Sequence, residues 1–269
     1  MEHGSAIQIS DSELPEEIYL LGARMHPWSM RQTLDVIDQR LRADVFTQHV
    51  VVNVGKLVTM RHDELLQNSV DHCDIINIDG MGVVWGARLM GYYVPERVAG
   101  IDLFYALLEY AESMGKKVYL LGAREDVIVK AADEVQRWHP RLQLAGFHHG
   151  YFWEDELAMV EEIAASGADL LFVAITSPRK EQFIDHWRDR LGVKFAMGVG
   201  GTFDIVAGIT RRAPIWMQKA GLEWLYRVLQ EPGRMWRRYL VTNSKYLFLL
   251  LKQWFCLRLL NRNHQVKMK

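Results

Sequence analysis

Along the first 200 residues, short apolar runs alternate with longer stretches whose apolar positions recur every three to four residues. The short runs predict strands at Ile18–Leu21, His49–Val54, Asp74–Ile78, Lys117–Leu121, Leu142–Phe147, Asp169–Ile175 and Val193–Val199. Several are apolar throughout, as expected of parallel strands covered on both faces. The longer stretches predict helices at Met30–Arg42, Arg61–Val70, Gly82–Met90, Ile101–Met114, Asp126–Trp138, Glu154–Ser166 and Pro178–Leu191. Strand and helix in alternation predict an α/β fold on a doubly wound parallel sheet.

After Gly201 the pattern changes. Helical stretches at Ala213–Lys219, Leu222–Gln230 and Arg234–Leu260 follow one another without strands, and Pro232 and Gly233 punctuate the last two. The chain therefore divides into a loose leader over 1–16, an α/β body over 17–210 and a helical appendage over 211–269. Net charge adds to this division. The 269 residues sum to −1, yet Thr210–Lys269 holds thirteen Lys and Arg against two Glu. An acidic body joined to a basic tail points to a polyanionic partner, a membrane surface or a nucleic acid. The tail interleaves its cations with Trp224, Tyr226, Trp236, Tyr239, Tyr246, Phe248, Trp254 and Phe255. Its leucines favour burial in lipid or protein over nucleic acid. The longest apolar run, Tyr246–Leu251, is far short of the roughly 20 residues a spanning helix needs. No secretory leader is expected in the polar, acidic Met1–Glu17. Two cysteines, Cys73 and Cys256, exclude a disulfide framework and a Cys-x-x-Cys metal site.

Candidate chemistry clusters at the ends of the expected strands. Ile78-Asp-Gly-Met-Gly-Val-Val-Trp85 places Asp79 at a strand's carboxyl end, where it reads either as a general base or as the cap of the next helix. Gly198-Val-Gly-Gly-Thr-Phe-Asp204 follows another strand and suits close backbone approach to phosphate, though it is not the dinucleotide fingerprint. Pro95-Glu-Arg-Val-Ala-Gly-Ile-Asp102 carries Arg97, a bidentate phosphate ligand or a surface arginine, and Asp102, read as a helix cap. Thr176-Ser-Pro-Arg-Lys-Glu181 opens a helix after a strand, so Lys180 or Glu181 could face the same crevice. His148 and His149 have no third ligand at metal spacing, and no metal is expected.

Taken in order, Asp79-Gly-Met-Gly-Val-Val-Trp85, Glu96-Arg-Val-Ala-Gly100, His148-His-Gly-Tyr-Phe152, Gly198–Asp204 and Gly221-Leu-Glu-Trp-Leu-Tyr-Arg-Val-Leu-Gln-Glu-Pro232 resemble the WecG/TagA/CpsF family, glycosyltransferase family 26. The resemblance runs from about Asn53 to Leu240. It implies a Rossmann-like body with a C-terminal appendage. It also implies inverting transfer from a UDP-sugar to a polyprenyl-diphosphate-linked saccharide at the cytoplasmic face of the bacterial inner membrane, with neither metal nor cofactor. The family's base falls on Asp79, its active-site arginine on Arg97 and its early asparagine on Asn53. The appendage arginines that complete the site fall on Arg234, Arg237 and Arg238.

Lys180, Glu181, Gly198, Gly200, Gly201, Thr202 and Asp204 are the further candidates for substrate binding. Val51 stands where many members have Thr, and Lys180 where many have Gln. Both changes bear on the donor sugar, and the second also makes Lys180 a candidate phosphate ligand. The expected partners are the donor, the lipid-linked acceptor and an anionic membrane surface. A second copy of the chain is a further candidate, and no nucleic acid is expected. The competing readings are an oxidoreductase on the same fold, a non-catalytic partner of a polysaccharide assembly complex and, third, a nucleic-acid-binding module.

Overall fold

The computed structural model describes residues 14–267, with the side chains of Arg234 and of residues 260–267 outside the described set. The chain opens with β1 (Ile18–Leu20) and β2 (Ala23–Met25), followed by α1 (Met30–Arg42), β3 (Thr47–Val52), α2 (Val54–Met60), α3 (Glu64–Asp71) and β4 (Ile75–Ile78). Next come α4 (Met81–Leu89), α5 (Gly100–Met114), β5 (Lys117–Gly122), α6 (Glu125–Trp138), β6 (Gln143–His148), α7 (Glu156–Ser166), β7 (Leu170–Ala174), α8 (Arg179–Trp187) and β8 (Phe195–Gly198). Four helices end the chain: α9 (Thr202–Val206), α10 (Ile215–Lys219), α11 (Glu223–Gln230) and α12 (Pro232–Lys267).

Six strands form one parallel sheet in the order β4-β3-β8-β7-β5-β6. Successive residues of a strand face opposite sides, and the buried clusters follow that alternation. Val118, Leu120, Leu170, Phe172, Phe195 and Met197 pack with α1, α5, α6 and α9 on one face. Tyr119, Leu121, Leu171, Val173 and Ala196 pack with α7 and α8 on the other. On that second face Val50, Val52, Ile76 and Ile78 meet α2, α3, α4 and the β1–β2 hairpin. All three layers are apolar, which is why the central strands read as unbroken hydrophobic runs.

The expected strand at the start of the body is a hairpin. Leu21 and Gly22 both have positive φ, 54° and 84°, the conformation of a tight turn, and Ala23–Met25 pairs back on Ile18–Leu20. The segment after it covers the β4 edge, where the His26 N–H donates to the Ile76 carbonyl and the Ile76 N–H to His26 Nδ1. The helix expected at Arg61–Val70 is α3, which starts at Glu64 behind its Asp63 cap, and a further short helix, α2, capped by Asn53, precedes it where the pattern predicts none. Of the leader, only 14–16 are described. Leu14 packs on the core and the Pro15 carbonyl accepts from the Trp28 ring N–H.

The appendage is docked rather than tethered. Tyr246 and Leu250 of α12 are buried in the cluster that holds the hairpin, β3 and β4. The Tyr246 hydroxyl donates to the Gly82 carbonyl at 2.9 Å, and the Leu21 N–H donates to Gln253 Oε1 at 3.0 Å. So α12 crosses the body from α11 to the hairpin turn. Among the described residues no helix is long and apolar enough to cross a membrane.

Candidate active site

Parallel topology puts the carboxyl ends of all six strands on one side. β3 and β8 are neighbours whose connections lead to opposite sides of the sheet, and such a switch point leaves a crevice free of crossing chain. Asn53 ends β3 there, Asp79 ends the adjacent β4, and the Gly198–Gly201 loop ends β8.

Asp79 extends its strand by one residue, its N–H donating to the Val52 carbonyl at 2.9 Å. Gly80, at φ 98°, then turns the chain straight into α4 and is itself the cap residue. No side chain caps that helix, so the capping role open to Asp79 in the sequence is not the one it plays. Its half-buried carboxylate makes no hydrogen bond with the described residues. Burial pushes its pKa up to about 6. Arg97 pulls it back down, Glu223 adds to the rise, and Arg227 and Lys56 oppose it.

Arg97 reaches this place through its neighbours. Glu96 Oε1 accepts from the Met30 N–H at 2.7 Å at the start of α1. The Val98 N–H donates to the Ile78 carbonyl at 2.8 Å, one residue before Asp79. With both flanks pinned, the Arg97 side chain lies on the site side and its Nη1 donates to Glu223 Oε2 of α11. Asp102 is not the cap of α5, which is Ala99. It lies in the first turn, where both carboxylate oxygens accept from Arg212.

Asn53 is exposed in the crevice, and its Oδ1 accepts from the Lys56 N–H at 3.0 Å. Lys56 then turns inward. Its Nζ lies 2.8 Å from Glu181 Oε1, and the Lys180 Nζ lies 2.7 Å from the same oxygen. All three side chains are at least nine-tenths buried, and Glu181 Oε2 has no hydrogen-bond partner among the described residues. Burial alone would raise the Glu181 pKa, but the two ammonium groups outweigh it and hold the carboxyl far below its usual range. Burial lowers Lys180, with Lys56 adding to the effect. Two cations on one anion leave a positive charge under the β8 end. The Lys180 stem lies against Gly198, where any Cβ would come within 2.8 Å of it. Lys180 and Glu181 thus form the floor of the crevice and do not open into it.

Gly200, at φ 56°, faces open space with nothing within 4 Å of a would-be Cβ. Gly201 starts α9. Thr202 is buried and gives its hydroxyl proton to the Val199 carbonyl at 2.7 Å, closing the loop on itself. The Asp204 carbonyl accepts from the Ile209 and Thr210 N–H groups, and its charge acts on Arg124. His148 and His149 lie at the far edge of the sheet. The His148 ring is 2.8 Å from the His149 carbonyl, and His149 Nδ1 accepts from the Tyr151 N–H.

Of the appendage arginines, Arg238 is near enough to Lys180 to lower its pKa further. Arg237 instead lies over the Trp236 ring, 5.3 Å from its centroid. The Arg234 side chain is outside the described residues. The sequence reading missed Arg227, Glu223, Lys56 and Arg212. Arg227 and Glu223 stand one helical turn apart inside the Gly221–Pro232 motif, which was the available signal.

A buried carboxylate of raised pKa, an adjacent arginine and a glycine loop over a positive floor can take a proton from a hydroxyl and hold an anionic leaving group. The model of the glycosyl transferase WecG/TagA/CpsF family matches residues 18–259. An N-acetylglucosaminyldiphosphoundecaprenol N-acetyl-beta-D-mannosaminyltransferase of Bacillus spizizenii is 36% identical over 216 residues, covering 80% of this chain and 81% of the relative. The enzyme of the same name from Bacillus subtilis is 33% identical over 217 residues, covering 81% and 82%. The chain thus belongs to the WecG/TagA/CpsF family of glycosyltransferases.

Proposed function

We propose that the protein transfers a sugar from a UDP-sugar to a hydroxyl of a polyprenyl-diphosphate-linked saccharide, with inversion, in cell-surface polysaccharide synthesis. The observation that carries the reading is Asp79, uncommitted and half-buried at the carboxyl end of β4, within reach of the charge of Arg97 from the loop before α5. Asp79 takes the acceptor hydroxyl proton as that oxygen bonds to the anomeric carbon. The bond from that carbon to the diphosphate oxygen breaks on the opposite side, and UDP leaves with the electron pair. Asn53, at the mouth of the crevice, orients the substrate.

The departing charge is met by Arg97, by Arg227 and Arg238 of the appendage, and by the N–H groups of Gly200 and Gly201 over the Lys56–Lys180 floor. This assigns Lys180 and Glu181 a supporting electrostatic role, with Thr202 shaping the loop. The mechanism needs no resident metal. Names of the relatives suggest an N-acetylglucosamine diphosphate-lipid acceptor and an N-acetylmannosamine donor. Val51, where many members have Thr, is the position we assign to donor preference.

The acceptor's lipid calls for membrane contact, and the basic, aromatic appendage is suited to a peripheral one at the cytoplasmic face. Trp216, Trp236, Leu240, Phe248 and Phe255 are all exposed on its helices, and each nearby cation adds about 1 kcal/mol on an anionic leaflet. The test is UDP release from a panel of UDP-sugars in EDTA, with and without a polyprenyl-diphosphate-linked N-acetylglucosamine. Acceptor-dependent release with one donor is expected. Release that requires a divalent cation would overturn the metal-free mechanism. Undiminished release by Asp79→Asn would overturn the assignment of the base.

A further inference from the structure

Four alternating charges connect the appendage to the site. Both carboxylate oxygens of Asp102 accept from Arg212, at 2.5 and 2.8 Å. Arg212 Nε is 3.4 Å from Glu223 Oε1, and the other oxygen of Glu223 takes Arg97 Nη1. The partners come from α5, the segment before α10, α11 and the loop before α5, so no single element holds the network. Their charges sum to zero. The network therefore adds little net field at the site, and what it supplies is direction.

Arg97 is where direction matters. It stands in a loop with no helix or strand of its own, held by the backbone on either side. A guanidinium is a rigid plane with five N–H donors. Glu223 takes one edge, and fixing one edge of a plane fixes where the other points. Among the described residues, Arg97's remaining donors have no partner. Glu223 in turn is held by Arg212, and Arg212 by a two-point pair with Asp102, the firmest geometry available to these groups.

We propose that Asp102, Arg212 and Glu223 are positioning residues that aim the free edge of Arg97 into the crevice, so that docking of the appendage and capture of the donor diphosphate are one event. The proposal rests on the reading of Arg97 as a diphosphate ligand. It differs from a mere structural clip, which would hold α11 to the body whether or not Arg97 were present.

The experiment measures UDP affinity by calorimetry and donor KM and kcat by UDP release, all on the full-length chain. The variants are Glu223→Gln, Glu223→Ala, Asp102→Asn, Arg97→Ala and the double variant Glu223→Ala/Arg97→Ala. Glu223→Ala is expected to weaken UDP about tenfold, the scale of one charge-assisted hydrogen bond, and to raise donor KM more than it lowers kcat. Glu223→Gln, whose amide oxygen still accepts, should lose less. Asp102→Asn, at the far end of the network, should show the same KM effect in weaker form with an unchanged melting temperature. In the Arg97→Ala background, Glu223→Ala should cost no further affinity. An equal loss with and without Arg97 would overturn the positioning role, as would no loss at all. Should Glu223→Ala fail to fold, Asp102→Asn with and without Arg97 makes the same comparison. If Arg97→Ala itself binds UDP normally, the reading of Arg97 falls first, and the proposal with it.

Discussion

Asp79 is held against its own solvation. Burial lifts its pKa to about 6, so at neutral pH the folded protein carries a carboxylate it would rather protonate. Asp79→Asn removes that burden. Turnover should fall by about 10³-fold, within the range for loss of a positioned general base, while the melting temperature holds or rises. A steady-state assay beside a thermal melt checks both. In the native enzyme kcat/KM should fall below about pH 6, as the base becomes protonated. His49 acts on stability in the opposite sense. Its ring is fully buried against Asn77 Oδ1 at 2.8 Å, Asn77 passes its own amide proton to Thr33, and burial lowers the His49 pKa to about 4. An unfolded histidine titrates near 6.5, so between 6.5 and 4 the unfolded chain binds a proton that the folded one refuses. The contribution of His49 to stability is full above that window and is lost across it, by about 3 kcal/mol. His49→Gln should lessen the slope in urea unfolding measured at several pH values, leaving the part that His26, likewise lowered to about 4 by burial, supplies. Asp79 and Arg97 stand out in the sequence because each lies in a compact local motif, whereas Asn53 enters only through the family resemblance. Lys56, Arg212 and Glu223 do not stand out, since their partners stand 110 to 126 residues away and only the fold brings them together.

At the scale of elements, the strands were legible to within about two residues because burial on both faces leaves an unbroken apolar run. The hairpin and α2 were not. The Leu21 turn, with a non-glycine residue at positive φ, and a seven-residue helix that follows β3 directly at its Asn53 cap leave little trace in a hydrophobic pattern. The docking of α12 depends on one small residue. Any Cβ at Gly86 would collide with the Tyr246 hydroxyl. Gly86→Ala, although helix-favouring by itself, should loosen α12 and lower activity several-fold. Limited proteolysis within 233–260 and hydrogen exchange of α12 would report it, and unchanged protection would sink the claim. The buried triad is as exacting. Glu181→Ala leaves two ammonium groups buried without their carboxylate and should cost about 3–5 kcal/mol, measured by chemical unfolding.

For the whole molecule, the split of charge between an acidic body and a basic tail was the most legible feature, and it bears on where the protein works. Replacing Phe248 and Phe255, both more than half exposed, by Ser should reduce sedimentation with anionic vesicles while leaving release from a short-chain, detergent-soluble acceptor intact. Equal sedimentation of the variant would remove these residues from the membrane contact. The 36 residues of α12 span about 54 Å at 1.5 Å per residue. Tyr246, Leu250 and Gln253, its contacts with the hairpin and α4, fall at its middle, while Tyr239 ties its first half to Trp224 of α11; about that middle the helix, with α11 attached, is a balance beam with arms of about 26 Å. As a rigid rod on that pivot, it answers a sideways shift of its far end with a nearly equal and opposite shift at Pro232. Arg238, about 17 Å from the pivot, would travel about two-thirds as far. A tilt that moves the far end by roughly 3 Å would carry the Arg238 backbone by roughly 2 Å, about the difference between touching a phosphate and missing it.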